Sequence, residues 1–284
     1  MPTAYLSDRG VVRVSGAEAR DWLNNLVTCD VAGVKPGLGR LGALLTPQGK
    51  ILVDFLLTES ADGDFLIDAP RALIADFFKR LTMYRLRAKI AIDDLSGSHG
   101  VIAAWGESHV DDGVRFADPR AAELGLRVIA ERATAEAHPD AQSYHAHRIA
   151  LGIPEGGKDF AYGDAFPHEA DMDQLGGVDF KKGCYVGQEV VSRMQHRGSG
   201  GRTRIVPVIY EGGFAPTEGV EAKAGDKVIG ATGSQANGRG LAKLRLDRVE
   251  DALKAGETLS AGGVPFTLAK PAWATFAFPG EPAT

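Results

Sequence analysis

The sequence predicts an α+β fold with a β-rich C-terminal part, and three observations carry that prediction. Strand-like and helix-like segments come in two mixed groups before residue 200, the pattern of two α+β lobes packed together. After Gly198-Ser199-Gly200-Gly201, a flexible break by composition, short β-like runs alternate with glycine turns, the signature of a small barrel or sandwich. The chain has 284 residues, 44% hydrophobic and 24% charged, enough for a large core in two or three domains. The expected division is a core over 1–200, with a lobe boundary near 95, and a β domain over 201–284.

The elements follow in order. Ala4–Leu6 and Val11–Val14 read as a hairpin around a Ser7–Gly10 turn. Ser15-Gly16-Ala17-Glu18 is a capping-box signature, so a helix is expected to about Leu26, burying Trp22, Leu23 and Leu26. Leu41–Leu45 and Ile51–Thr58 read as paired strands around Thr46-Pro47-Gln48-Gly49-Lys50. A turn at Ala61–Asp64 leads to a strand over Phe65–Ile67. Asp68-Ala69-Pro70 then reads as the entry to a helix with Leu73, Phe77, Phe78 and Leu81 on its apolar stripe. Strands are expected at Ala88–Ile92, Val101–Trp105 and Leu126–Ile129, and a helix over Ala141–Leu151 stopped by Gly152. The β domain shows runs at Ile205–Tyr210, Lys227–Ile229, Leu241–Leu246, Thr258–Leu259 and Val264–Ala269.

Composition removes several functions. A net charge of −5 argues against a general nucleic-acid binder, so any anion site is local. Two cysteines, Cys29 and Cys184, exclude a disulfide framework and a four-cysteine zinc or iron–sulfur site made by one chain. The N-terminus lacks a basic-then-apolar signal, and the longest apolar run, Ile51 to Leu57, is broken by Asp54 and too short to span a membrane. A cytoplasmic protein without a membrane partner is the expectation.

Motifs narrow the field further. Gly37-Leu38-Gly39-Arg40-Leu41-Gly42 has dinucleotide-binding glycines, but Lys35-Pro36 precedes it and a strand follows, so no helix start is present to hold a pyrophosphate. His145 and His147 point about 200° apart on a helix and cannot share a metal. No His-Glu-x-x-His or nucleophile-elbow pattern occurs.

One stretch stands out: Lys181-Lys182-Gly183-Cys184-Tyr185-Val186-Gly187-Gln188-Glu189, followed by Val190, Val191 and Met194 at helical spacing. A thiol ahead of a helix start feels unpaired amides and two cations, and both favour thiolate. Cys184 then reads as a nucleophile or metal ligand. A small buried residue in a tight turn fits the same residues. Lys181, Lys182, Arg193, Arg197, Arg202 and Arg204, with Glu189 the only acid among them, form either a local positive field for a polyanion or a solvated basic linker.

Lys182 to Glu189, Lys-Gly-Cys-Tyr-x-Gly-Gln-Glu, resembles the hallmark of the YgfZ family of folate-binding proteins, which includes the mitochondrial iron–sulfur assembly factors. Other stretches support the resemblance. Gly16–Leu23 with Thr28-Cys29-Asp30-Val31 resembles the family's opening helix and the threonine-x-aspartate after it. Tyr84–Lys89 resembles its arginine-bearing strand, and Arg148–Pro154 with Phe166–Ala170 the approach to the hallmark. Gly240–Arg245 is similar to a barrel strand.

The resemblance implies the fold of the glycine cleavage T protein, a tetrahydrofolate-dependent aminomethyltransferase: two ferredoxin-like lobes around a central folate channel, plus a C-terminal β-barrel. Two features depart from that enzyme. Ala150 stands where its Arg-x-Glu-x-Gly pattern has the pterin-binding glutamate, and Asp54 alone remains of its catalytic Asp-Asp pair. The implied function is a folate-binding accessory protein for assembly or repair of iron–sulfur clusters, not a classical enzyme. Cys184 would be its reactive thiol and transient cluster ligand, with Asp54 a second catalytic candidate. Lys182, Gly183, Tyr185, Gly187, Gln188, Glu189 and Arg193 would surround tetrahydrofolate or a reduced derivative, with Lys182 and the basic segment answering the glutamyl carboxylates. Gly183 and Gly187 would let the backbone bring the thiol to the channel mouth. No permanently bound metal is expected, and the partners would be assembly or client proteins. Two other readings remain: a one-carbon transferase using Asp54, and a plain interaction module.

Overall fold

The central strands of the N-terminal half have a buried face that dictates their sheet. The computed structural model describes residues 2–108, 110–197 and 201–281, so the break at Gly198–Gly200 lies outside the described residues. The chain forms two compact units, Met1–Tyr144 with Leu175–Gln188, and His145–Gln174 with Glu189–Thr284.

In the first unit, β2 (Arg9–Ser15), β3 (Arg40–Leu45), β4 (Ile51–Glu59), β5 (Phe65–Pro70) and β6 (Ala91–Asp94) form a five-stranded sheet in the order β3-β4-β5-β2-β6. One face carries Val12, Val14, Val53, Phe55 and Leu57 at period-two spacing. Against it pack Leu23 of α1 (Ala19–Asn24) and Phe77 and Leu81 of α2 (Ile74–Arg85). Phe55 and Phe77 stack with centroids 5.8 Å apart. The second sheet has the order β1-β7-β9-β8, from β1 (Thr3–Tyr5), β7 (His99–Ala104), β8 (Val114–Ala117) and β9 (Leu126–Glu131).

The N-terminal hairpin does not form. β1 pairs with β7, Thr3 opposite Ala104, whereas β2 lies between β5 and β6. A local turn signal joins two strands but does not choose their edges, and here the Ser7–Asp8 connection passes from one sheet to the other. The capping box is also absent. Ser15 is still in β2, opposite Ala91, and Glu18 accepts from Lys89 N–H at 3.0 Å instead of closing the helix start. Asp68 to Pro70 end β5, and a 3-10 turn over Arg71–Leu73 leads into α2. Tyr84–Lys89 is the end of α2 and a turn, not a strand, so β6 starts only at Ala91. β8 and α3 (Arg132–Glu136) had no strong sequence pattern, since each is one turn or four residues long.

A charged network joins the two sheets inside this unit. Buried Asp68 on β5 binds Arg9 at 2.5 Å and lies 3.5 Å from Arg127 on β9. Arg127 and Arg120 share Asp118, at 3.2 and 2.7 Å, and both donate to the Tyr144 hydroxyl.

In the second unit, β10 (Thr203–Tyr210), β11 (Glu221–Ala224), β12 (Lys227–Ala236), β13 (Arg239–Arg245), β14 (Leu259–Ala261) and β15 (Val264–Leu268) close a barrel in the order β10-β13-β12-β11-β14-β15. Val206, Val208, Leu244 and Phe266 fill it, with Leu246, Val249 and Ala252 of α6 (Leu246–Lys254). The Leu241–Leu246 run hid α6, because the helix begins on its last residue. β11, Glu-Ala-Lys-Ala, has no strand preference and forms because β12 and β14 flank it. α4 (Gln142–Ala150) and α5 (Gln188–Arg197) complete the described helices. Among the described residues, no helix is long and apolar enough to cross a membrane.

Candidate functional site

The hallmark stretch is fastened before it reaches its cysteine. Asp179 N–H donates to Thr28 O at 2.9 Å, and its Oδ1 accepts from the N–H groups of Lys181 (2.7 Å) and Lys182 (3.0 Å). A short carboxylate closing the next backbone donors is an Asx turn. Thr28, fully buried, supports the turn: Oγ1 donates to Gly177 O at 2.6 Å and accepts from Ala43 N–H at 2.9 Å.

Lys182 points into the end of α1. Its Nζ donates to the carbonyls of Asn24 (2.5 Å), Val27 (2.8 Å) and Cys29 (2.7 Å). Asn24 ends α1, and a carbonyl at a helix C-terminus lacks an intrahelical partner and carries the negative end of the dipole, so an ammonium caps it well, while Val27 and Cys29 add two carbonyls from the segment that follows. The same Nζ lies 5.5 Å from the Tyr185 ring centroid, within cation–π range. Burial lowers the Lys182 pKa, opposed by neighbouring Asp30 and Asp179. All three ammonium protons donate to backbone carbonyls, so in this structure the charge of Lys182 holds backbone.

The two cysteines are opposites. Cys29 is 1% exposed, and burial pushes its thiol up to about 12. Cys184 is exposed, so the packed-residue reading of it fails.

Next to it, Tyr185 is buried. Burial pushes its phenol up to about 12, and its hydroxyl has no hydrogen-bond partner among the described residues. Gly187 has φ +81°, and a Cβ there would meet Thr46 O at 2.5 Å and Gly49 Cα at 3.1 Å. Glycine is required by conformation and by the close approach to the β3–β4 turn. Gly183 has neither need: its φ is ordinary and a Cβ would meet nothing within 4 Å. The conformational need for glycine in this stretch therefore falls on Gly187 and not on Gly183.

Gln188 opens α5, its N–H donating to Tyr185 O at 3.3 Å. Glu189 and Arg193 pair with each other at 2.5 Å, both exposed, an arrangement that contributes about 0.3–0.5 kcal/mol. Arg204 is no surface cation either. It is buried, donates to His168 O, Asp171 and Asp173, and lies 4.8 Å over the Phe276 ring. Asp54 is half-buried on β4 opposite Ala43, on the face away from Val53 and Phe55. Lys182 thus meets the segment from Asn24 to Cys29 and carries Tyr185 beside it, Gly187 meets the β3–β4 turn, and Asp54 lies on β4 opposite Ala43. Sequence reasoning missed the bracing role of Thr28 and the carbonyl set at and after the end of α1. The only signal was the threonine-x-aspartate likeness.

A two-sheet unit and a unit with a closed six-stranded barrel define the class, a protein of the aminomethyltransferase fold. The glycine cleavage aminomethyltransferase T of Bartonella henselae superposes with a TM-score of 0.77 at 16% identity, over 97% of this chain and 87% of that one. The GCVT N-terminal domain matches residues 6–109, and the CAF17 C-terminal beta-barrel domain matches residues 202–276. Iron-sulfur cluster assembly factor IBA57, mitochondrial, of Mus musculus is 31% identical over 94% of this chain and 84% of its own length. The Homo sapiens factor is 29% identical over 84% of this chain and 73% of its own, and the Mycosarcoma maydis homologue 33% identical over 73% of this chain. The chain belongs to the YgfZ/IBA57 family. It spans 57% of the Mycosarcoma maydis relative's length. The cytoplasmic expectation is corrected here, since these relatives are mitochondrial by name. A low cysteine count reports a reducing milieu and does not say which compartment supplies it.

Proposed function

We propose that the protein is a folate-binding accessory factor supporting assembly or repair of iron–sulfur clusters in other proteins, with Cys184 as its working thiol. The contrast between the two cysteines carries this reading. Cys29 is sealed in the core, which leaves Cys184 as the thiol that a cluster or partner can reach. The cluster is cargo. Its iron needs further thiolates, so the ligand set is completed by a partner or an external thiol.

The residues present fit a folate in one respect and not in another. A buried hydroxyl is normally paired, so the unmatched Tyr185 oxygen favours a ligand with hydrogen-bonding edges. Tyr185, Gln188 and Asp54 are assigned to hold it, and Lys182 and Gly187 to position the segment. Gly183 keeps the thiol uncovered, while Glu189 and Arg193 neutralise each other. When bound, a reduced folate supplies a one-carbon carrier. The folate site is assigned to the 1–200 core, with no chemistry given to the 201–284 barrel. The family name of the relatives, iron-sulfur cluster assembly factor, supports the cargo.

The test is genetic and biophysical together. In cells lacking the endogenous factor, the native chain restores cluster-enzyme activity, and Cys184→Ser, folded and folate-binding, does not. Full restoration by Cys184→Ser removes the thiol from the mechanism. Absence of a tryptophan-fluorescence response at saturating reduced folate removes the ligand.

A further inference from the structure

After α2 the chain makes a turn that works against itself energetically. Arg85 O accepts from Ala88 N–H at 2.9 Å, and Leu86 between them has φ +47° and ψ −108°. Those angles are the first corner of a type II′ turn, a place for glycine. A branched aliphatic residue held there costs about 1–3 kcal/mol. Packing does not offset that cost, because Leu86 is 85% exposed. Met83 beside it is 67% exposed, and Tyr84 is also exposed. The turn is nevertheless held at both ends: Trp22 Nε1 donates to Tyr84 O at 3.1 Å, and Lys89 N–H donates to Glu18.

Around this apolar knob stand Arg85, Arg87 and Lys89, all exposed and without an ion-pair partner among the described residues. These three cations outnumber the carboxylate hydrogen-bonded to the turn, Glu18, so in a chain of net charge −5 the rim is locally positive. Methionine, tyrosine and arginine are the residue types enriched at protein interfaces, and a preorganised loop loses less entropy on binding. A bilayer takes up exposed apolar residues whatever their geometry, whereas a turn held at both ends by hydrogen bonds favours a partner with a shaped pocket.

We propose that the Arg85–Ala88 turn is a docking knob for a client or assembly protein that offers an apolar pocket rimmed by carboxylates. The partner's role rests on the function proposed above. Charge complementarity supplies orientation and rate, and Leu86 supplies the buried anchor.

The full chain carrying Leu86→Gly tests this. Relief of strain raises its urea midpoint and leaves reduced-folate binding unchanged, while its support of cluster enzymes falls about tenfold. Arg85→Glu/Arg87→Glu reproduces the loss without the gain in stability. If the native chain restores the enzymes, Cys184→Ser does not and Leu86→Gly does, the docking surface is overturned and the function stands. A native chain that restores nothing overturns both. Sedimentation with phosphatidylcholine–cardiolipin vesicles that is lost in Leu86→Gly overturns the protein partner in favour of a membrane. Self-association in the ultracentrifuge that the same variant abolishes overturns it in favour of a second copy.

Discussion

Lys182 shows how a residue can matter to a site without facing a ligand. Three carbonyls, that of Asn24 at the end of α1 and those of Val27 and Cys29 in the segment after it, converge on one ammonium, and the chain between Lys182 and Gly187 is held in place as a result. Replacing Lys182 by Met leaves those carbonyls without a charged donor. It is expected to lower the unfolding free energy by about 3 kcal/mol, measured by urea denaturation. An unchanged midpoint would mean that water serves the carbonyls equally well. The sequence showed a lysine beside a cysteine but not where it pointed. Its acceptors lie 153 to 158 residues earlier in the chain, beyond any local pattern.

At the scale of elements, the hallmark turn and the β3–β4 hairpin are clasped through Gly187. An alanine there is strained by the positive φ and collides with Thr46 O, so Gly187→Ala is expected to destabilise by about 2 kcal/mol or more in thermal or urea unfolding. Gly183→Ala should stay within about 0.5 kcal/mol of the native chain. Equal effects from the two substitutions would contradict the clasp. The β3–β4 hairpin itself was legible, because alternating apolar residues flank a proline–glycine turn. The β1–β2 hairpin was misread because its turn signal is as good, yet β7 offers β1 a better edge. Local chemistry specifies turns, and partners specify sheets.

For the whole molecule, the buried charges between the two sheets of the first unit set its acid limit. The Arg120 and Arg127 guanidinium groups hold Asp118 down to about 2 against an ordinary 3.8, overcoming the opposing effect of burial. The folded value lies below the unfolded one, so the stabilisation is complete above the ordinary carboxylate range and is lost as pH falls through about 2. It amounts to about 2 kcal/mol. Urea unfolding followed from about pH 5 downward should show that loss. Asp118→Asn should be weaker at neutral pH, since two arginines lose their acid, yet lack this step in its acid profile. An unchanged profile would remove Asp118 from the acid limit.

The sequence by itself determined the α+β class, the β domain after residue 200, the family and the eight residues around Cys184, because periodicity, composition and a contiguous motif are all local properties. Only the tertiary structure decided which cysteine is accessible, where Lys182 directs its protons, that Arg204 is buried in its own acids, and that Leu86 stands strained and uncovered. Each of these depends on what surrounds a residue in space. Burial and long-range partners are set when the sheets assemble, and no local stretch of chain encodes them.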